Sequence, residues 1–359
     1  MGFVKEKWGS YNVQGNNIFS FKDKLKLLKV DLKDWNKNVF GCLQLNQKLI
    51  LKEIEVLDVK DDNEELEENG RLRRMDLLSQ FRMVDNKLES LSRKKAKANW
   101  CKFGDMKSKF YHLAIRLSRL KNEVKGVEVE GQWCEEPEVV RREAKSLFEK
   151  RFTATQEIGV NLGSMEFKSL PSDTSIRMVT NFTEEEVKEV VWQCEGSKSS
   201  GPDEFNFTFI RNCWDFLKYD ILKALHLFQE TGIMPKGRNA SFIALVPKVS
   251  DPLSLDQFRP ISLVEIFYKI ITKVLAVRMK EVLSLVIDEN QYAFLSNKGM
   301  LDSVLMANEV VEEVRRNQRS ALCFKVDYEK AYDSVRWNFL LDMLLHRLAF
   351  HSKWIRWVR

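Results

Sequence analysis

The sequence predicts an α+β protein whose amino-terminal part is helical and whose carboxyl-terminal part mixes helices with short strands. Three observations carry this. Phe21, Leu25, Leu28, Leu32, Trp35 and Val39 recur at spacings of 4, 3, 4, 3 and 4, the period of one helix face. Two short apolar runs read as strands: SFIALVP over 241–247, closed by its proline, and Leu322, Cys323, Phe324 and Val326 near the end. Thr183-x-x-Glu186 reads as a capping box opening a helix that carries Val187, Val190, Val191 and Cys194.

Composition narrows the class. At 359 residues, 44% hydrophobic with 23 Phe, 9 Trp and 7 Tyr, the chain has the apolar material for a core and is far from a disordered composition. No apolar stretch approaches the ~20 residues a bilayer requires. No leader-like run is visible at the start, so an intracellular place is expected. The six cysteines are scattered without a CxxC pair, as expected of reduced thiols. Four histidines make His-based metal or triad chemistry a poor expectation, and His346 and His351 lack the cysteine pair of a zinc finger.

In chain order, residues 1–70 are expected to be a helical, coiled-coil-like segment. The seam beginning at Phe21 serves either packing within its own domain or dimerisation. It fades into an acidic run from Glu53 to Glu68, with nine acids and one lysine, ended by Asn69-Gly70. Residues 71–155 are expected to form a basic helical connector. Between Asn86 and Lys125 stand 12 Lys/Arg against 3 Asp/Glu, a balance of +9, so the remaining chain sums to −3 of the net +6. Trp100, Phe103, Phe110 and Tyr111 interleave there with Lys97, Lys102, Lys107 and Lys109. Cations beside aromatics suit single-stranded nucleic acid; the alternative is a solvated face with its aromatics turned inward. VKGVEVEGQW over 124–133 alternates with two glycines and predicts a short hairpin. Residues 156–178 are expected as a linker, and 179–359 as the last domain. There GSKSSGPD cannot be a phosphate loop, because Pro202-Asp203 replaces Lys-Ser/Thr. Residues 267–286 predict a helix, apolar on one face and basic on the other.

ALCFKVDYEKAY (321–332) ends a buried strand on Asp327. A buried acid there must meet a metal, a donor or solvent, or cap the following helix. Asp333 follows, within reach of Lys330 or Arg336.

FKVDYEKAYDSVRW (324–337) resembles the first metal-binding motif of reverse transcriptases from non-LTR, LINE-type retrotransposons. GPDEFNFTFIRNCW, IALVPK, FRPISLVEIFYKIITKVLAVRM and ENQYAFLSNKGMLDSVLMANEV resemble the four preceding blocks, in order. Upstream, ANWCKFGDMKSKFYHLAIRLSRLKN and GQW resemble the connector of plant elements of this type. The resemblance covers roughly residues 90–359.

It implies the fingers and an incomplete palm of a right-hand polymerase that extends a DNA primer on an RNA template with deoxynucleoside triphosphates. Phosphoryl transfer in that family uses two Mg²⁺ ions roughly 4 Å apart. By resemblance Asp327 is the catalytic first metal ligand, and Tyr332 matches the ring that screens the sugar 2′-hydroxyl. Lys248 and Arg259 match the fingers cations facing the triphosphate, whose oxygens suit arginine's planar fork and lysine's point charge. Gln291, Ala293 and Phe294 match the block near the nascent base pair. Asp203, Phe205 and Phe207 match the block along the template. A nuclear place is implied by copying into chromosomal DNA.

Three departures stand out. Glu204 occupies the position after Gly-Pro-Asp where the family usually has glycine, and Asn297-Lys298 replaces Gly-Arg. No Tyr/Phe-x-Asp-Asp occurs; Asp61-Asp62 lies in the acidic run behind Val59-Lys60. A truncated polymerase, inactive as this chain, is therefore expected. The alternatives are a non-catalytic RNA-binding remnant and a helical interaction protein. Residues 300–359, short of palm strands to pair with, are expected to be poorly ordered or prone to aggregate.

Overall fold

The computed structural model describes residues 2–15, 17–40, 43–63, 67–96, 116–117, 120, 122–129, 131–153, 163, 165–196, 198–234, 241–289, 291, 295, 299–322 and 335–359. The fold is mostly helical with few strands. It forms two compact units: a larger one of Met1–Leu25, Arg141–Phe242 and Ser262–Arg359, and a smaller one of Lys26–Val140 and Ile243–Ile261.

The smaller unit is built around an antiparallel-reading helical pair, α3 (Leu43–Asn63) and α4 (Glu68–Ala96), which buries Ile54 and Leu77. Its exposed sides carry ion pairs: Arg73 with Glu53 at 3.0 Å and Arg74 with Asp58 at 2.6 Å. Asp58, Asp61 and Glu53 of the acidic run thus sit on a helix, and two of them meet arginines of the next helix. The expected hairpin is present. β1 (Val127–Val129) pairs antiparallel with β2 (Gln132–Cys134), Val127 opposite Cys134, and Gly131 takes φ +81° in the turn. Most of a second two-stranded sheet, β3 (Ser241–Pro247) with β4 (Phe258–Val264), also belongs to this unit. Its loop meets the first hairpin where Glu128 N–H donates to Leu253 O at 3.2 Å.

The larger unit is a helical assembly centred on α9 (Trp214–Thr231) and α10 (Ile266–Val286). In α9, Trp214, Leu217, Ile221, Ala224, Leu225 and Phe228 are buried at helical spacing; in α10, Ile266, Phe267, Ile270, Ile271 and Val274 are. Gly232 ends α9 in the left-handed conformation (φ 65°), its N–H donating to Phe228 O at 2.7 Å. α8 (Phe207–Asn212) is capped by Asn206, whose carbonyl accepts from Phe209 N–H at 2.9 Å.

The amino terminus belongs to this assembly. α1 (Gly2–Ser10) and the start of α2 (Asn17–Trp35) bury Trp8, Ile18, Phe21 and Leu25. Trp8 Nε1 donates to Asp220 at 2.8 Å, Lys24 pairs with the same carboxylate at 3.0 Å, Lys22 pairs with Glu265, and Phe21 packs on Phe267 at 5.7 Å. The Phe21–Val39 seam is therefore internal over its first half, Phe21, Leu25 and Leu28 each being at most 3% exposed.

Two expectations are corrected. The capping box at α7 (Glu184–Gln193) is half formed: Thr183 accepts from Glu186 N–H at 3.2 Å, while the Glu186 carboxylate is taken by Arg278. Nor is the whole of 300–359 loose. Leu344, Phe350 and, in α13 (Ser352–Val358), Trp354 and Trp357 are buried, and Trp357 Nε1 donates to Gln229 O at 3.0 Å. Leu170 N–H donates to Leu348 O at 3.0 Å, so part of the expected linker packs against this end. Between them lie α11 (Met300–Arg316), with Leu301, Val304, Leu305 and Val310 exposed, and α12 (Trp337–Asp342). Leu322 is exposed; residues 323–326 of the expected strand lie outside the described residues.

Arg278 holds the segment before α7. Its guanidinium forms a fork on Glu186 (2.6 and 2.7 Å), donates to the carbonyls of Met178 (2.9 Å), Thr180 (2.7 Å) and Asn181 (3.3 Å), and lies 4.5 Å from the centre of the Phe182 ring. Removing one partner of such a buried pair leaves the other charge unpaired. Arg278→Ala should therefore lower the unfolding free energy by about 3–5 kcal/mol in urea titration. Arg278→Lys should recover little of it, because one ammonium cannot reproduce the fork.

Candidate nucleotide and nucleic-acid site

Lys248 and Arg259 lie on the β3–β4 hairpin. Lys248 follows Pro247 directly, and its N–H donates to Gln257 O at 2.8 Å, two residues before Arg259. The ladder therefore brings the two cations to neighbouring positions. The loop is closed by a single tight turn over Leu255–Gln257, with Gln257 Oε1 accepting from Leu253 N–H at 2.7 Å. Lys248 Nζ donates to Asp256 O at 2.7 Å, so this exposed amine also ties the loop. In β4 Phe258 is buried and Arg259 exposed, the alternation that puts the guanidinium on the open face of the strand.

The Gly-Pro-Asp block has a backbone role. Asp203 accepts from Ile266 N–H at 2.6 Å and from Phe205 N–H at 3.4 Å, satisfying a donor at the first turn of α10. Burial pushes its carboxyl pKa up; the two backbone donors pull the other way, Glu265 adds to the rise and Lys269 opposes it. A Cβ on Gly201 would lie 2.2 Å from Val264 O, so only glycine allows the two backbones to approach. Glu204 adopts φ 67°, a left-handed conformation in which glycine is at ease and glutamate is strained, while its N–H closes on Gly201 O at 3.0 Å. The turn geometry thus supplies a physical reason for a glycine at this position. Phe205 and Phe207 are buried; Phe205 packs on Phe209 at 4.8 Å. In this structure Asp203 thus caps α10 and Phe205 packs within the same block.

Gln291 is exposed, with its N–H on Asp288 O at 3.1 Å. Asp327, Tyr332, Phe294, Ala293, Lys97, Lys102, Lys107 and Lys109 lie outside the described residues, as do Asn297 and Lys298. Among the described residues no group of three or more His, Cys, Asp and Glu is placed to hold a metal ion.

Comparison with known proteins places this geometry. Residues 246–358, from the end of β3 to the end of α13, match the reverse transcriptase (RNA-dependent DNA polymerase) family. This part of the chain is a reverse transcriptase segment. The chain is 27% identical over 218 residues to an uncharacterised 149 kDa protein of transposon TX1 from Xenopus laevis. It is 26% identical over 214 residues to the RNA-directed DNA polymerase from mobile element jockey of Drosophila funebris. It is also 26% identical over 160 residues to a Pol polyprotein from the type-1 retrotransposable element R2 of Nasonia vitripennis. The alignments cover 60, 57 and 45% of this chain but only 17, 23 and 15% of those proteins. The relatives are non-LTR retrotransposon proteins, as the order of the five blocks implied.

Sequence reasoning singled out Lys248 and Arg259 as cations of the hairpin. It missed Arg278, because an arginine at the right period on a helix reads as a solvated face, and it missed that Lys198, Arg211, Lys269 and Lys273 gather around Cys194.

Two predictions follow from the Gly-Pro-Asp turn. Glu204→Gly should stabilise the chain by about 1 kcal/mol, read as a higher urea midpoint, by relieving the left-handed strain; an unchanged or lower midpoint would count against it. Asp203 holds its proton to higher pH folded than unfolded. Its stabilising share is therefore complete below the unfolded value of 3.8 and is lost as pH rises through the raised folded value. Compared with Asp203→Asn, which keeps the acceptor, the wild type should lose ground from acid to neutral pH in parallel urea titrations.

Proposed function

We propose that this chain supplies the fingers and the first part of the palm of an RNA-directed DNA polymerase of a non-LTR retrotransposon. The observation that carries the reading is the match of residues 246–358 to the reverse transcriptase family, beginning at the hairpin that presents Lys248 and Arg259. In this reading the two cations receive the phosphates of an incoming deoxynucleoside triphosphate, opposite an RNA template and a DNA primer. Arg259, on the open face of its strand, is free to fork onto phosphate oxygens, whereas Lys248 must first release the Asp256 carbonyl. Asp327 would hold Mg²⁺, which supplies charge neutralisation for phosphoryl transfer when bound. Tyr332 would exclude the sugar 2′-hydroxyl. The site of action is the nucleus, where chromosomal DNA is the acceptor.

These 359 residues contain no Tyr/Phe-x-Asp-Asp, so on their own they lack the remaining carboxylates of the reaction. Primer extension on an RNA template tests both parts. The chain alone should give no product. The chain continued by downstream coding sequence that carries such a motif should extend the primer and lose that activity with Asp327→Ala. Product from the 359 residues alone would refute the inactivity, and a continued chain with no product would refute the polymerase reading. The reading as a helical interaction protein is weakened by the burial of Phe21, Leu25 and Leu28 within the chain's own fold.

A further inference from the structure

The α3–α4 pair of the smaller unit draws on one side of α3. Ile54 is buried, Gln47 donates Nε2 to Asp85 Oδ1 at 3.0 Å, and Glu53 and Asp58 pair with Arg73 and Arg74. On the side away from Ile54, Leu45, Leu49, Val56 and Val59 follow one another at spacings of 4, 7 and 3, each between 51% and 59% exposed. At 3.6 residues per turn they form one stripe along the helix. Apolar side chains scattered singly over a surface need no explanation, but a heptad-spaced row on one helix face does. The far side of α4 is less continuous: Leu72, Met75 and Met83 are exposed there, but Ser79, Arg82 and Asn86 share that face.

Charge along the stripe is asymmetric. Lys52 stands within it, in the gap between Leu49 and Val56, and Lys48 lies beside it toward the amino-terminal end of α3. Glu55 and Asp62 follow the same edge toward the carboxyl-terminal end. All four are exposed, and among the described residues none of them forms an ion pair. The opposite edge carries Asn46, Glu53 and Lys60, of which Glu53 is already paired with Arg73. A lysine in an apolar seam disfavours any arrangement that sets it on its own counterpart, because like charges placed directly opposite repel. Two copies of α3 lying parallel and in register would set Lys52 on Lys52. Two copies lying antiparallel would not.

We propose that this face of α3 binds a second copy of the chain, as an antiparallel helix pair on a two-fold axis near Ile54. Leu49 then lies against Val59 and Lys52 against Val56, where the Lys52 ammonium reaches Glu55 of the second copy and Lys48 reaches Asp62 of the second copy. The charges select this occupant. An isologous contact needs one surface that is its own complement, and a stripe with unpaired lysines at one end and unpaired acids at the other is that surface. A contact of one helix from each copy is small among those that hold, so the dimer forms at micromolar rather than nanomolar concentration. Neither the pairing nor its test requires polymerase activity.

Sedimentation equilibrium of the full, nuclease-treated chain from about 1 to about 100 μM tests this, the range open to a small interface. The expected result is a monomer–dimer equilibrium that Leu49→Glu combined with Val56→Glu shifts to monomer. Both side chains are exposed, so the helix content and urea midpoint of that variant should match the wild type. Lys52→Glu should weaken dimerisation about ten-fold by gathering four acids at the axis, and adding Glu55→Lys should restore it. In a parallel pair Lys52→Glu would leave affinity unchanged, since like charges meet before and after the substitution. Monomer throughout the range would give the stripe to a different partner and overturn the proposal. So would a dimer that the Leu49 and Val56 substitutions leave intact, a dimer indifferent to Lys52→Glu, or a charge swap that fails to restore affinity.

Discussion

Arg278 is the buried charge on which the larger unit depends. A helix-borne guanidinium with a side chain 10% exposed must find an anion and several acceptors, and it finds Glu186 and the carbonyl oxygens of Met178, Thr180 and Asn181. Those carbonyls belong to 178–181, the turn that feeds α7, so satisfying the cation fixes where α7 begins relative to α10. The same segment is held from the other side by α9. Gln229 accepts from Phe182 N–H at 3.1 Å and donates to Thr180 O, and His226 Nε2 meets Phe182 O at 2.9 Å. A short irregular stretch is thereby made rigid by side chains of two long helices, which is how a buried loop avoids orphaned backbone groups. The packing of α13 is then tied in through Trp357 on the Gln229 carbonyl.

A second knot lies at the start of α10. Gly201 lets its backbone touch that of Val264, Asp203 caps Ile266, and Lys22 reaches Glu265 from α2. Three stretches far apart in sequence thus meet within three residues, 264–266. The consequence is that residues 1–25 are part of the larger unit rather than an appendage, although the family match begins only at residue 246. Trp8 and Lys24 on Asp220 give the same message at α9.

Much of this was legible. The period of apolar residues gave the helices over 17–35 and 266–286, the proline-closed run gave β3 with its bounds, and two glycines in an alternating stretch gave the β1–β2 hairpin. Ordered motifs gave the family. What failed was anything that depends on a distant partner. Thr183-x-x-Glu186 has the local pattern of a closed capping box, yet a buried arginine 92 residues away is a better partner for Glu186 than an exposed N–H. Asp203 likewise takes one donor two residues on, Phe205 N–H, and another 63 residues on, Ile266 N–H, which its local sequence does not show. The end of the chain was judged from missing strands, whereas Phe350, Trp354 and Trp357 find helices to pack against.

The same distinction sorts the cations of the larger unit by role. Arg278 and Lys22 are matched to carboxylates in mostly buried settings; their charge is consumed by the fold, and they can offer nothing to a ligand. Lys24 and Lys218 are likewise paired, with Asp220 and Glu184. Arg211 and Lys269 are fastened instead by backbone carbonyls, with the Asp203 carboxylate acting on Lys269 from nearby. Fully in water neither group would incur a desolvation cost, whereas burial of Lys269 lowers its pKa. The carbonyls that hold them end α7 and lie in the loop after it, so both cations tie that loop to α8 and α10. The choice of acceptor, a carboxylate for Arg278 and Lys22 and a carbonyl for Arg211 and Lys269, therefore decides how far each cation's charge is consumed by the fold.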